Sequence, residues 1–93
     1  MEFRIRHINE NSLKLSGELN KSSLELFEFV TYQALNKYSN LTLDISKVTT
    51  IDKVAIESIL TLYKHSLKKE KVLLFYGYGA KDILDEIHYK NIA

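Results

Sequence analysis

Cysteine is absent from this chain, which excludes a disulfide framework and any thiolate chemistry. Proline is absent too, and only three of the 93 residues are glycine. No stretch reads as a linker, a repeat or a low-complexity segment, so residues 1–93 are expected to form a single domain. Charge of one sign is also lacking. Thirteen Lys and Arg stand against twelve Asp and Glu, a net charge of +1, which argues against a nucleic-acid binder driven by phosphate contacts. No apolar run approaches the length of a membrane span. The start, Met1-Glu-Phe-Arg-Ile-Arg, has no apolar h-region of a secretory signal, and the expected address is the cytoplasm. What is present is ordinary for a small globular domain: 45% apolar and 27% charged residues, enough to bury one core.

The most informative stretch runs from Leu41 to Ile56. Leu41, Leu43 and Ile45 alternate with Thr42 and Asp44, the period of a strand with one better-buried face. Ser46 to Thr50 reads as a polar turn. Asp52 is suited to cap a helix, because its carboxylate can accept from the free amides of the first turn. Ile51 and Ile56 then have the spacing of a hydrophobic staple. Lys53 would be the first residue inside that helix, where the backbone carries partial positive charge and disfavours a cation by roughly 0.3–1 kcal/mol.

The rest of the chain alternates in the same way. Phe3 and Ile5 mark a first strand, which Ile8 extends with a slip in register, and Leu13 and Leu15 mark a second; Asn9-Glu10-Asn11 between them makes an antiparallel hairpin. Ser22-Ser-Leu-Glu25 has the form of a capping box and should open a helix. Leu24, Phe27, Thr31, Ala34, Leu35 and Tyr38 give that helix an apolar stripe, and Leu26, Phe29 and Val30 widen it. The wide arc has two readings, deep packing on the sheet or a partner or dimer surface. A second helix from Lys53 to about Lys69 carries Ile56, Ile59, Leu60, Tyr63 and Leu67 as its core stripe, with Val54, Ser58, Thr61 and His65 on the opposite side. Lys71 to Tyr76 is continuous enough to be an inner parallel strand. After the turn Gly77-Tyr-Gly79, Ala80 to Tyr89 reads as a third helix. The order β-β-α-β-α-β-α, with right-handed crossovers, predicts an α/β fold: a mixed four-stranded sheet with about three helices.

Few residues suggest chemistry. Asp44 and Asp52 both fall at the carboxyl end of the sheet, but no third ligand or nucleophile accompanies them, so the expected roles are a loop tie for Asp44 and a helix cap for Asp52. His7, His65 and His88 lack metal-ligand spacing, and no metal or cofactor is expected. The basic run Lys64 to Lys71 suits the negative end of a helix dipole better than a nucleic acid. Gly77-Tyr-Gly79 is no phosphate loop, as no Gly-Lys-Ser/Thr follows.

The run Leu43-Asp-Ile-Ser-Lys-Val-Thr-Thr-Ile-Asp52 resembles the signature of STAS domains, the sulfate transporter and anti-sigma factor antagonist family, and Gly17-Glu18-Leu19-Asn20 resembles that family's Gly-Glu-Leu-Asp. The element order supports a STAS-like fold over most of the chain. The resemblance implies a protein-binding module, not an enzyme. In the switching antagonists a phosphorylatable serine follows the second aspartate; here Lys53 stands at that position, followed by Val54 and Ala55. The implied partner-binding surface comprises Thr49, Thr50, Asp52, Lys53, Val54, Glu57 and Ser58, with Thr49 and Thr50 as the remaining nearby hydroxyls. The implied partner is a kinase-type anti-sigma factor. An alternative is an accessory subunit of an ABC-type lipid transporter that binds its ATPase.

Overall fold

The computed structural model describes residues 2–77. Its elements are β1 (Arg4–Asn9), β2 (Ser12–Leu19), a short 3-10 turn (Lys21–Ser23), α1 (Leu24–Lys37), β3 (Asn40–Ile51), α2 (Lys53–Lys68) and β4 (Val72–Tyr76). They form one mixed four-stranded sheet in the order β1-β2-β3-β4. β1 and β2 pair antiparallel, with an irregularity between His7 and Asn9 that leaves Ile8 52% exposed. β2–β3 and β3–β4 are parallel. The α/β class and the mixed sheet are as the sequence implies. The expected third helix, Ala80 to Tyr89, lies outside the described residues.

Both parallel crossovers step the same way along the sheet, so right-handed connections place α1 and α2 on one face. The core lies beneath them. Leu13, Leu15 and Leu19 of β2 and Leu41, Leu43 and Ile45 of β3 point to that face, against Phe27 and Leu35 of α1 and Ile59 and Leu62 of α2. The two helices are joined by a hydrogen bond from Ser58 Oγ to Glu28 Oε2, 2.7 Å, and by the Tyr32 and His65 rings, 5.0 Å apart.

Four sequence expectations are corrected. Ser46 to Thr50 is strand, not turn: β3 continues beside β2 through two register shifts, pairing Ser16 with Lys47, Gly17 with Val48 and Glu18 with Thr50. The capping box is two residues earlier. Asn20 Oδ1 accepts from the Ser22 amide and Ser23 Oγ accepts from the Asn20 amide, so the 3-10 turn leads into α1. The buried face of α2 is Ala55, Ser58, Ile59, Leu62 and Ser66; Ile56, Leu60 and Tyr63 sit half-buried at its rim, and Leu67 is 55% exposed. β4 ends the four-strand order rather than lying inside it, and Leu73 is buried while Val72, Leu74 and Tyr76 are exposed.

The end of α2 also shows how the basic run is used. Glu70 takes a left-handed backbone, φ 57°, and the Glu70 and Lys71 amides donate to the Leu67 and Ser66 carbonyls, closing the helix. Lys71 Nζ then reaches away from α2 to the carbonyls of Leu35, Asn36 and Tyr38, at the carboxyl end of α1. A cation there satisfies orphan carbonyls and meets the negative end of that helix. The lysine serves its neighbour rather than its own helix.

Candidate partner-binding surface

β3 delivers the chain to Ile51 at the edge of the core, and Asp52 turns it into α2. Asp52 Oδ1 accepts from the Ala55 amide at 2.8 Å, the helix cap expected from the sequence. Its second oxygen, Oδ2, accepts from the Lys21 amide at 3.2 Å, and its own amide donates to the Leu19 carbonyl at 3.2 Å. One carboxylate therefore binds the start of α2 to the exit of β2. The starts of both helices are held as one unit.

This tip faces solvent. Thr49, Thr50, Asp52, Lys53 and Glu57 are exposed, and Val54 is 44% exposed. No acidic residue lies within the first turn of α2, so at the positive end of the helix the Asp52 carboxylate at the cap is the acid next to Lys53. Glu57, four residues on, has the less favourable order for an ion pair along a helix.

Ser58 departs from its expected place. It is only 7% exposed, on the α1 side of α2, and its hydroxyl is engaged by Glu28. It positions the two helices against each other rather than contributing to the exposed tip. Ala55 likewise turns its methyl into the core, with no exposed surface. In its place the structure adds apolar surface from α1. Leu26 is 47% and Phe29 61% exposed, and with Ser22 and Glu25 they line a shallow hollow of about 430 Å³ beside the start of α1. The wide apolar arc of α1 thus divides: Phe27, Thr31, Ala34 and Leu35 pack inward, while Leu26 and Phe29 face out.

Asp44 is the other carboxylate singled out by the sequence. Its Oδ1 accepts from the Ser46 amide at 2.9 Å and holds the strand at its first register shift. Burial alone would raise the Asp44 carboxyl. The Ser46 hydroxyl and amide and the nearby charges of Lys14 and Lys47 outweigh it, and the group titrates below its ordinary 3.8. The folded chain therefore binds this proton less readily than the unfolded chain. Asp44 contributes stability above about pH 4 that is lost as the pH falls through the folded value. Asp44→Asn keeps an acceptor for the Ser46 amide and removes the titration. Urea midpoints should fall less steeply on acidification for the variant than for the native chain. Parallel curves would mean that the carboxylate is not held in the folded state.

Among the described residues no three His, Asp or Glu side chains converge in a way that could hold a metal ion, and no helix is long and apolar enough to cross a membrane. No protein-family model and no curated protein matches the sequence. Solved structures do match. An anti-sigma factor antagonist from Mycobacterium paratuberculosis superposes with a TM-score of 0.65 and 16% identity, over 98% of this chain and 78% of that one. The anti-sigma factor antagonist SpoIIAA in its unphosphorylated form gives 0.63 and 9% identity, over 97% and 80%. Identities this low speak for architecture alone, and the architecture is unambiguous: this chain has the STAS fold of the anti-sigma factor antagonists.

Proposed function

We propose that this chain is a protein-binding module of the antagonist type, which docks through the exposed start of α2 on a kinase-type anti-sigma factor. The docking face comprises Thr49, Thr50, Asp52, Lys53, Val54 and Glu57, with Ser58 supporting it from beneath. The observation that carries this reading is the tip itself. It is solvent-facing, yet fixed by the Asp52 carboxylate to two separate backbone segments, so little conformational freedom is lost on binding. Lys53 occupies the place where the resembling antagonists carry a phosphorylatable serine. A phosphate there would add about two negative charges to the surface; a lysine supplies the opposite sign permanently. In this reading the module remains competent to bind and has no phosphate toggle at residue 53.

Lys53→Glu tests it. The substitution reverses the charge at the docking face but suits the helix dipole better, so the melting temperature should hold or rise slightly. Binding to the purified anti-sigma kinase, read by calorimetry, should weaken about tenfold, the equivalent of 1.4 kcal/mol. Unchanged affinity would place the interface elsewhere. Incubation with the kinase and ATP should leave residue 53 unmodified, whereas stoichiometric phosphate on Thr49 or Thr50 would overturn the loss of the switch. Selective binding to a lipid-transporter ATPase in place of the kinase would transfer the chain to the accessory-subunit reading.

A further inference from the structure

The sheet has a second face, opposite the helices, and its charge is distributed unevenly. Arg4 and Arg6 of β1, Lys14 and Ser16 of β2, and Lys47 of β3 surround a hollow of about 310 Å³. The pairing explains why they meet. Arg4 lies opposite Ser16 and Arg6 opposite Lys14 across the antiparallel ladder, and Ser16 pairs with Lys47 across the parallel one. Ile5 and Leu15, also paired, point the other way into the core, so these polar residues share the outer face.

Two features set this cluster apart from ordinary surface charge. Arg6 and Lys14 are direct cross-strand partners of like sign, an arrangement that opposes folding. Among the described residues three acids adjoin it: Asp44 pairs with Lys14 from β3 and is committed to Ser46, Glu2 lies 3.7 Å from Arg4 with both side chains largely in water, and Glu18 is the next outward-facing residue of β2 after Ser16. Four cations on three adjacent strands thus stand out in a chain whose net charge is only +1.

We infer that this face binds an acidic segment of a partner protein, in an extended conformation, at a site separate from the tip of α2. Three arguments favour this occupant. Arg4 and Arg6 are two residues apart on one strand, about 6.7 Å, which is also the spacing of alternate side chains in an extended segment. Carboxylates at alternate positions can therefore meet both guanidinium groups, which are suited to bidentate pairing. The centre of the patch is also recessed: Lys14 and Ser16 are half-buried while Arg4, Arg6 and Lys47 are exposed. A protruding chain reaches all five, whereas a flat lipid surface meets only the rim. Finally, Leu74 and Tyr76 of β4 continue the rows of Thr42 and Asp44, and both are more than half exposed, offering apolar contact beside the cations.

The test uses the full chain and a fluorescent peptide of alternating glutamate and leucine, with a glutamine–leucine peptide as control. The glutamate peptide should bind in low salt, shift the amide resonances of β1 and β2 rather than those at the start of α2, and weaken as salt is added. Arg6→Glu should reduce affinity about tenfold or more. The same substitution makes an opposite-charge pair with Lys14, so its melting temperature should be unchanged or higher, which separates lost binding from lost folding. Lys47→Gln gives a second variant outside that pair and should also weaken binding, while Lys53→Glu should not. The proposal is overturned by absence of binding into the millimolar range, by equal affinity for Arg6→Glu, by shifts confined to the tip of α2, or by equal binding of the glutamine peptide. Tighter binding of a short DNA duplex or of anionic vesicles would overturn it in favour of those ligands. Since Lys53→Glu tests the helix tip, failure at either surface is distinguishable from failure at the other.

Discussion

Phe27→Ala is expected to cost about 3–5 kcal/mol of folding stability, a large part of the roughly 5–15 kcal/mol that a small domain possesses. Phe27 has no exposed surface and lies in the core between α1 and the sheet. Truncation removes most of a large ring from a close-packed site, so both the lost burial and the cavity left behind count against the variant. Phe29 supplies an internal control on the same helix. It is 61% exposed, and Phe29→Ala should change stability by no more than about 0.5 kcal/mol. Urea unfolding of the two variants should therefore differ sharply, with the Phe27 variant losing on the order of 15 °C or more in its melting temperature. Equal effects would show that α1 does not lie on the sheet by the face seen here. The comparison bears on function as well. The Glu28–Ser58 hydrogen bond sits one residue from Phe27, so seating α1 also sets its register against α2 and the tip.

The phenylalanine pair also shows where the sequence is readable and where it is not. Leu24, Phe27, Thr31, Ala34, Leu35 and Tyr38 have helical spacing, and the four central members are buried as that spacing predicts. Spacing alone could not assign Leu26 and Phe29, because a wide apolar arc suits either a deeply packed helix or a helix with an exposed apolar flank. On α2 the same spacing finds only part of the buried face. The stripe Ile56, Ile59, Leu60, Tyr63 and Leu67 includes the buried Ile59, with Leu60 and Tyr63 packed at the rim of the core, but the buried face also uses Ala55, Ser58, Leu62 and Ser66. Small side chains let α2 approach its neighbours closely. The two serines are satisfied, Ser58 by Glu28 of α1 and Ser66 by the Tyr63 carbonyl of its own helix, so their burial leaves no polar atom unpaired. Hydrophobicity carries no signal for such a choice, since it depends on the distance between elements.

The candidate site was legible for a different reason. Asp52 followed by a helical stripe is a local signal, and the cap forms as its chemistry suggests. Its second bond, to the Lys21 amide, spans 31 residues and has no local signature. The continuation of β3 through Ser46 to Thr50 was hidden for the same reason. Ser46 and Lys47 look like turn residues in isolation, but β2 supplies a ladder through two register shifts that only the assembled sheet provides. The end of α2 near Lys69 is as the sequence predicts, but its left-handed closure at Glu70 has no local signal, because such a cap is normally announced by glycine or asparagine. The like-charged face was visible only as separate residues. Arg4, Arg6, Lys14 and Lys47 lie on three strands, and only the register brings them together.

Gly77→Ala is the second substitution expected to be severe, because it acts on the segment of β3 that was not foreseen. Gly77 follows β4 with φ at 109°, a backbone region that side-chain-bearing residues rarely adopt. A methyl group placed there would lie 2.8 Å from both the Cβ and the backbone nitrogen of Ser46. The crowded atoms belong to backbone and Cβ, so no rotamer change relieves them. Ser46 cannot easily give way either, as its amide is held by Asp44 Oδ1 at the first register shift of β3. Conformational strain and overpacking each cost about 1–3 kcal/mol, so a combined loss of about 2–4 kcal/mol is expected. Hydrogen exchange should show the loss concentrated in the amides of β4 and the centre of β3, and urea unfolding should give its size. The effect should also depend on the neighbour. In the Asp44→Asn background the Ser46 amide is held by a neutral acceptor, which yields more readily, and the additional cost of Gly77→Ala should shrink. Strict additivity of the two substitutions would sink this account, because it would mean that Gly77 and the Asp44–Ser46 tie do not share the same strained contact.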